Sequence, residues 1–522
     1  MKLYTNRYLK ITSLALALLL GTTGCKKLIE IDPKDQIDSS AALVTKEGIN
    51  ATITSIYAAL KTNTMYGQQL NLMGDALSDN ATFTNRSGRY AAAAVNQRGA
   101  HYAFWSLAYS NLNRINLVLE ALPAANGPGI DASTKTNWEG QLKFLRALYH
   151  FELARAYAYI PGAVVSAQDR GGIPLLTKAV STVDQALVVT TPRAPLTEVY
   201  AFITADLNEA IAKLGNLSAS NTASKATKQG AQALLSRVSL YNKDWATVVS
   251  ASSDVIAVQG ATLSTAANYF ANFTAAKNPE TLFEVTFFQP SESLGVNESV
   301  QTNATGLSTR AGAGLRDRSD VYAGYVGPAK GIAGFGDAVP TLELLSLFGL
   351  NVTNNANPNI LITRTGTDVR GDMFEVGASN RSPAVVETTK WLGKTGTINV
   401  DNIPVIRIAE MYLNRAEAYA NAGPQQNLAL ALADVNTIRT NRGLTALVGL
   451  TQAQIITEIF LQRRLEFAFE GQRFFDLKRT GQDINKPTTS TTIAFTDLRI
   501  LPQIPSGDVT GSNGAIQQNF GY

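Results

Sequence analysis

Five charged residues near the C-terminus pose the first chemical question: Arg463, Glu466 and Glu470, then Arg473 and Asp476 beyond Gly471. Spacings of three and four place Arg463, Glu466 and Glu470 on one face of a helix, where opposite charges can pair. Two carboxylates so placed could also work as acid and base, but no companion nucleophile or histidine stands nearby. A structural ion network clamping the final helix is therefore the expectation. The two histidines, His101 and His150, are far apart and lack a ligand partner at helical spacing, which argues against zinc and against a Ser-His-Asp arrangement. Glycoside hydrolysis needs two carboxylates at a fixed separation; Asp75, Asp79, Glu284, Asp368 and Asp372 are available but share no local motif. No glycine-rich turn between a strand and a helix offers to cradle phosphate. The chemistry on offer is binding, with no catalytic residues, no cofactor and no metal.

Sugar binding asks for aromatic faces to stack on the apolar faces of the rings and for Asn, Asp or Arg to meet the hydroxyls. Two stretches hold these types. Tyr66, Asp75, Asn80, Phe83, Arg89, Tyr90 and Tyr102 come from the first, and Arg316, Tyr322 and Tyr325 from the second. These ten are the expected ligand-binding residues, and His101 borders the first stretch. Trp105, Trp138 and Trp245 fall in helical stretches and are expected to pack between helices, whereas Trp391 fits either a core or a ligand platform.

The elements that must position these residues are mainly helical. Ser39 or Ser40 offers an N-cap before Ile49, Ile53, Ile56 and Leu60 at helical spacing. Residues 63 to 101 lose that period and read as a long functional loop. Helices are predicted at Tyr102–Leu122, Trp138–Ile160, Leu196–Leu214, Thr227–Tyr241, Asp244–Val258, Pro404–Ala422, Leu428–Arg442 and Ile455–Glu470, the last ended by Gly471. Ala231, Leu234, Leu235 and Val238 form one apolar stripe; Asn242-Lys243 turns the chain, and Val248, Val249, Val255 and Ile256 answer it. Such a unit, about 34 residues long, resembles a tetratricopeptide repeat, but its copies are scattered along the chain, so an unbroken array is not expected. Between about 260 and 403, short β-branched and aromatic runs such as Thr281–Phe288 alternate with Gly, Asn and Thr clusters, predicting an irregular lobe with short strands. The regions are thus 1–24, 25–259 with the ligand loop, 260–403 and 404–522.

The first region is a secretory signal: Lys2, Arg7 and Lys10, an apolar run Ile11–Leu20, then Gly21-Thr-Thr-Gly24 before Cys25, the chain's one cysteine. The run is about half of the ~20 residues a spanning helix needs. A cysteine directly after the small residues resembles a bacterial lipobox, with Thr22 where leucine is usual, and implies lipidation of Cys25 and attachment through acyl chains. Lys2, Arg7 and Lys10 supply three of the four net positive charges, so the remaining chain is close to neutral and carries no basic stripe for nucleic acid. With 45% apolar and 16% charged residues it has the composition of a folded globular protein.

Several stretches resemble the SusD/RagB family, surface nutrient-binding lipoproteins of the Bacteroidota. They are Arg463-Arg-Leu-Glu466-Phe-Ala-Phe-Glu470-Gly-Gln-Arg473-Phe-Phe-Asp476-Leu-Lys-Arg479, with Gln462 where glutamate is common, and Ile403-Pro-Val-Ile-Arg407-Ile-Ala-Glu410 through Arg415-Ala-Glu417-Ala418. Asn436–Arg439 before Gly443-Leu444, Gly140–Ala147 with Gly172-Ile-Pro174-Leu175, and the ends Ile500–Pro505 and Gln517–Tyr522 agree. The resemblance implies a scaffold of about four tetratricopeptide-like pairs, covered on one side by irregular structure that makes the ligand surface. It also implies a non-catalytic role: capturing oligosaccharides at the outer face of the outer membrane and delivering them to a SusC-like TonB-dependent barrel. A relative that captures peptides or another nutrient is the alternative within the family, and a surface glycosidase the alternative from another class.

Overall fold

The computed structural model describes residues 43–182, 185, 191–258, 260–307, 321–323, 334–353, 360–377, 385–421, 423–487 and 489–522. The signal segment, Cys25, Arg316 and Tyr325 lie outside the described residues. Among the described residues, the helices of seven or more residues are α1 (Lys46–Ala59), α2 (Gln69–Leu77), α3 (Trp105–Ala121), α4 (Ala132–Tyr157), α5 (Leu196–Lys213), α6 (Lys228–Tyr241), α7 (Trp245–Ala257), α8 (Ile408–Ala420), α9 (Leu428–Asn441), α10 (Gln452–Glu466) and α11 (Arg473–Arg479). The protein is helix-rich, with few short strands.

Several scaffold helices begin where the sequence supplies an acceptor for their unpaired first-turn N–H groups. The Asp131 carboxylate accepts from the Thr134 amide at 2.7 Å, and the Thr227 hydroxyl oxygen from the Gly230 amide at 3.0 Å. Thr45, rather than Ser39 or Ser40, caps α1. From α3 to α9 every helix packs on its successor, and α10 lies against both α8 and α9. The chain leaves α7 and returns only at α8, yet these two are neighbours, so the helical pairs that look scattered in sequence form one unbroken stack. Apolar stripes such as Val199, Ile203, Leu207 and Ala210 on α5 and Ala231, Leu234 and Val238 on α6 are buried in it. Trp138 is buried, and its indole N–H donates to the Asn50 side chain at 2.9 Å.

Two departures from the sequence-based expectations bear on function. Residues 63–101 are not a continuous loop, because they contain α2, in which every residue from Leu70 to Leu77 is buried. A helix buried on all sides has no polar face and so no 3.6-residue alternation to read. Gly74 and Gly471 make its fit possible: a Cβ on Gly74 would stand 2.5 Å from the Gly471 carbonyl oxygen, and one on Gly471 would overlap the Leu70 carbonyl. The second departure is at Pro404, which sits in a strand. β9 (Ile403–Arg407) pairs antiparallel with β2 (Thr281–Val285), Val285 opposite Ile403 and Glu284 opposite Pro404, and α8 starts only afterwards. Both strands are buried throughout, which gives them an apolar run that does not distinguish strand from helix.

The remaining strands form small sheets: β1 (Ala81–Phe83) with β4 (Ala338–Pro340), β5 (Leu350–Thr353) and β3 (Val321–Ala323) on either side of β6 (Leu361–Arg364), β7 (Phe374–Val376) with β8 (Val386–Thr388), and the hairpin β10 (Ile484–Lys486) with β11 (Thr491–Ile493). Trp391, fully buried, donates its indole N–H to the Phe469 carbonyl at 3.0 Å and belongs to the core. None of the described helices is long and apolar enough to cross a membrane.

Candidate functional site

The charged C-terminal residues do pair, but across elements rather than along one helix face. The Glu466 carboxylate accepts from Arg407 Nη1 at 2.8 Å, from Arg442 Nη2 at 2.8 Å and Nε at 2.9 Å, and from Arg370 Nη1 at 3.2 Å. Glu470 takes Arg407 and Lys390, the latter at 2.7 Å; Glu280 also binds Arg407 and Arg442; Asp368 binds Arg370 at 2.6 Å. All eight side chains are buried, four of each sign. Burial alone would raise the Glu466 carboxyl, yet the guanidiniums of Arg442, Arg407 and Arg370 hold it well below the usual carboxylate range. Arg463 turns to Asp476 at 2.9 Å, and the nearest acid to Arg473 is Asp79, at 2.7 Å. The long lever arms of arginine let these pairs reach other elements.

Arg473 thereby carries the network into the first expected ligand stretch. Asp79 also takes Arg464, and Asn80 accepts from Arg464 Nε at 2.9 Å while donating to Asp75 at 2.8 Å. Asp75 accepts from the Phe469 and Gly471 amides at 3.0 and 3.2 Å. Phe469 is a buried phenylalanine at φ +60°, a conformation that costs roughly 1–3 kcal/mol and persists only where its surroundings enforce it. Burial pushes the Asp75 carboxyl up to about 6, although the Asn80 side chain and the two amides oppose the shift. The corner between α2 and β1 is thus fixed to α10 and α11.

Beyond β1 the chain comes to the surface and builds a polar and aromatic rim. The Arg89 guanidinium lies 4.8 Å from the centre of the Phe335 ring, donates to Asn297 at 3.1 Å and stands 3.6 Å from Asp337. Ser87 donates its hydroxyl to Asp337 at 2.6 Å. Ser87 and Asn297 are exposed, and Arg89 and Phe335 half-exposed. Tyr90 is half-buried at φ +60°, a strained position at the foot of this rim. On the segment leading to Asn297, Phe288 is 66% exposed, with Lys61 Nζ 5.1 Å from its ring centre and Glu292 2.6 Å from the same ammonium. Arginine, asparagine and aromatic faces held open to water suit the hydroxyls and the apolar ring faces of a sugar.

The ten expected ligand residues divide accordingly. Arg89 and Tyr90 lie at the rim. Phe83 is half-buried on β1, lining a small cavity of about 110 Å³ with Val339, Leu345 and Val386. Tyr66, Asp75, Asn80 and Tyr102 are buried, away from the solvent-exposed rim. Tyr66 donates its hydroxyl to Glu152 at 2.8 Å, and Tyr102 stacks on Phe475 with ring centres 5.3 Å apart. Tyr102 and His101 line the inner wall of a groove of about 430 Å³ against Pro502–Gly507, away from the rim residues. Tyr322 sits in β3 with its backbone opposite Ile362. Phe288, Asn297, Phe335 and Lys61 were not expected. The signal for Phe288 was in the predicted strand Thr281–Phe288: β2 stops at Val285, so Phe287 stays buried while its neighbour swings out.

The candidate acids for hydrolysis are engaged elsewhere. Asp368 pairs with Arg370 and Asp372 with Arg364 at 2.5 Å; Glu284 is buried and accepts from Thr286 at 3.1 Å. His150 is buried in α4, donates its Nδ1–H to the Arg146 carbonyl at 3.0 Å, and is driven down by burial to about 4. Among the described residues, no three His, Cys, Asp or Glu side chains gather as metal ligands would.

A model described as the SusD family matches residues 349–522, and one described as starch-binding associating with outer membrane matches residues 30–240. The chain is 25% identical to SusD-like protein P2 of Formosa agariphila, over 97% of this chain and 98% of that one, and 25% identical to SusD-like protein P38 of the same organism, over 93% of each. Among solved structures, a SusD superfamily protein of Bacteroides thetaiotaomicron superposes with a TM-score of 0.74 at 20% identity, covering 91% of this chain and all of that one. A laminarin-binding SusD-like protein superposes at 0.69 with 21% identity, covering 92% of this chain and all of its own.

Proposed function

We propose, from the premise that this chain belongs to the SusD family, that it captures oligosaccharides at the outer membrane and passes them intact to a TonB-dependent barrel. The observation that carries this reading is the rim of Arg89, Asn297, Phe335 and Ser87, open to solvent on a base locked by buried ion pairs. A rim of that kind binds without bond-making: it offers donors, acceptors and ring faces, and the acid within it, Asp337, is engaged by Ser87 and Arg89. Rigidity of the base matters because a preordered site loses less entropy when a flexible glycan docks. Residues 1–24 act as the export signal, and acyl chains on Cys25 tether the protein with its rim facing outward.

Isolation of the full chain from its native membrane in detergent tests the proposal. A large TonB-dependent barrel is expected to co-purify, and an oligosaccharide incubated with excess protein is expected to return uncut on chromatography. Shortened products would replace this reading with a glycosidase.

A further inference from the structure

Beneath the rim, among the described residues, the Glu387 carboxylate binds Arg86 on one segment and Thr305 and Gly306 on another, with Gly336 of a third close beside it. It sits in β8, wholly buried, and Arg86 Nη1 binds its Oε1 while the Thr305 hydroxyl and the Gly306 amide each donate to Oε2 at 2.7 Å. The same Arg86 nitrogen donates to the Phe335 carbonyl at 2.9 Å. A Cβ on Gly336 would lie 2.8 Å from Oε1, and one on Gly377 would overlap it, so both neighbours leave room for this carboxylate. The segments at Thr305 and Phe335 also meet directly, the Phe335 and Gly336 amides donating to the Thr302 carbonyl at 2.8 and 2.9 Å.

We propose that Glu387 is a positioning residue for ligand capture: with Arg86 it sets the spacing of the segments that carry Ser87 and Arg89 on one side and Phe335 and Asp337 on the other. It touches no ligand itself. Its reach is geometric, because Arg86 is one residue from Ser87 and three from Arg89, and one nitrogen of its planar guanidinium is shared by the Glu387 carboxylate and the Phe335 carbonyl. The inference rests on the reading that this rim meets glycan.

The test compares full-length wild type, Glu387→Gln and Arg86→Lys in detergent. Glu410→Gln, which breaks the buried Arg237–Glu410 pair between α6 and α8, controls for simple loss of stability. Arg86→Lys keeps the charge but replaces the forked guanidinium, so it remains informative if Glu387→Gln fails to fold. Affinity for laminarin and malto-oligosaccharides is measured by calorimetry, and hydrogen–deuterium exchange is followed at 85–90, 305–307 and 334–337. Both rim variants are expected to lose about tenfold in affinity and to exchange faster in all three segments, while Glu410→Gln stays within about twofold of wild type. Wild-type affinity in Glu387→Gln or Arg86→Lys overturns the positioning role. So does unchanged exchange at the three segments, a result that stands even if wild type binds neither glycan and the capture reading itself fails.

Discussion

Replacing Glu466 with glutamine removes one negative charge from the centre of the buried cluster and leaves its shape intact. Four carboxylates and four cations balance there; afterwards Arg370, Arg407 and Arg442 face an amide whose oxygen can accept two of the four hydrogen bonds, whose NH2 can accept none, and which neutralises no charge. Breaking a buried pair by removing one partner costs about 3–5 kcal/mol, because the remaining ion keeps its desolvation cost without its counter-charge. Glu466 serves three guanidiniums, so the upper half of that range is expected, a large share of a typical domain's 5–15 kcal/mol. Urea unfolding of wild type, Glu466→Gln, Arg442→Met and the double variant measures it. The double variant should cost about 1–3 kcal/mol less than the sum of the singles, since the second change removes a cation the first has stranded. A cost below about 1 kcal/mol for Glu466→Gln, or strict additivity, would refute the view that this cluster locks the irregular lobe to the helices.

Two further substitutions probe the corner that carries the rim. Gly471→Ala should cost about 2–5 kcal/mol in urea unfolding, from the left-handed backbone at φ +73° plus overlap with the Leu70 carbonyl, whereas Gly514→Ala, at φ +90° with open space around it, should cost about 1–2; equal costs would mean that α2 does not rest on Gly471. Asp75, pushed up to about 6 by burial, stays protonated in the folded protein at pH values where the unfolded chain is already ionised. Its contribution therefore makes stability fall as pH rises from about 4 to 6, and Asp75→Asn should flatten that part of the melting-temperature profile; an unchanged slope would show that Asp75 titrates normally.

The scaffold was legible in the sequence because its helices are half-buried: Val199, Ile203 and Leu207 alternate with exposed positions such as Glu198 and Glu209, and Thr227 and Asp131 announce where helices begin. Burial on every side erased that signal in α2 and in the strand around Pro404. The charged cluster was legible as residues but not as pairs, because Arg370, Lys390 and Glu280 come from the irregular lobe at distances in sequence that no local spacing encodes. The rim was half-legible. Arg89 and Tyr90 stand in a polar stretch and reach the surface, while Asp75 and Asn80 in the same stretch turn inward to satisfy the Phe469 and Gly471 amides and Arg464. Polar side chains recruited to cap buried backbone look the same in sequence as polar side chains offered to a ligand.

Capture of a glycan by the Arg89 rim is the claim on which the functional account stands, and calorimetric titration of the detergent-solubilised full chain with laminarin, malto- and xylo-oligosaccharides tests it most directly. Saturable heat for at least one of them, lost in Arg89→Ala, is the predicted result. Absence of heat with all three classes, or heat that Arg89→Ala leaves unchanged, would contradict it.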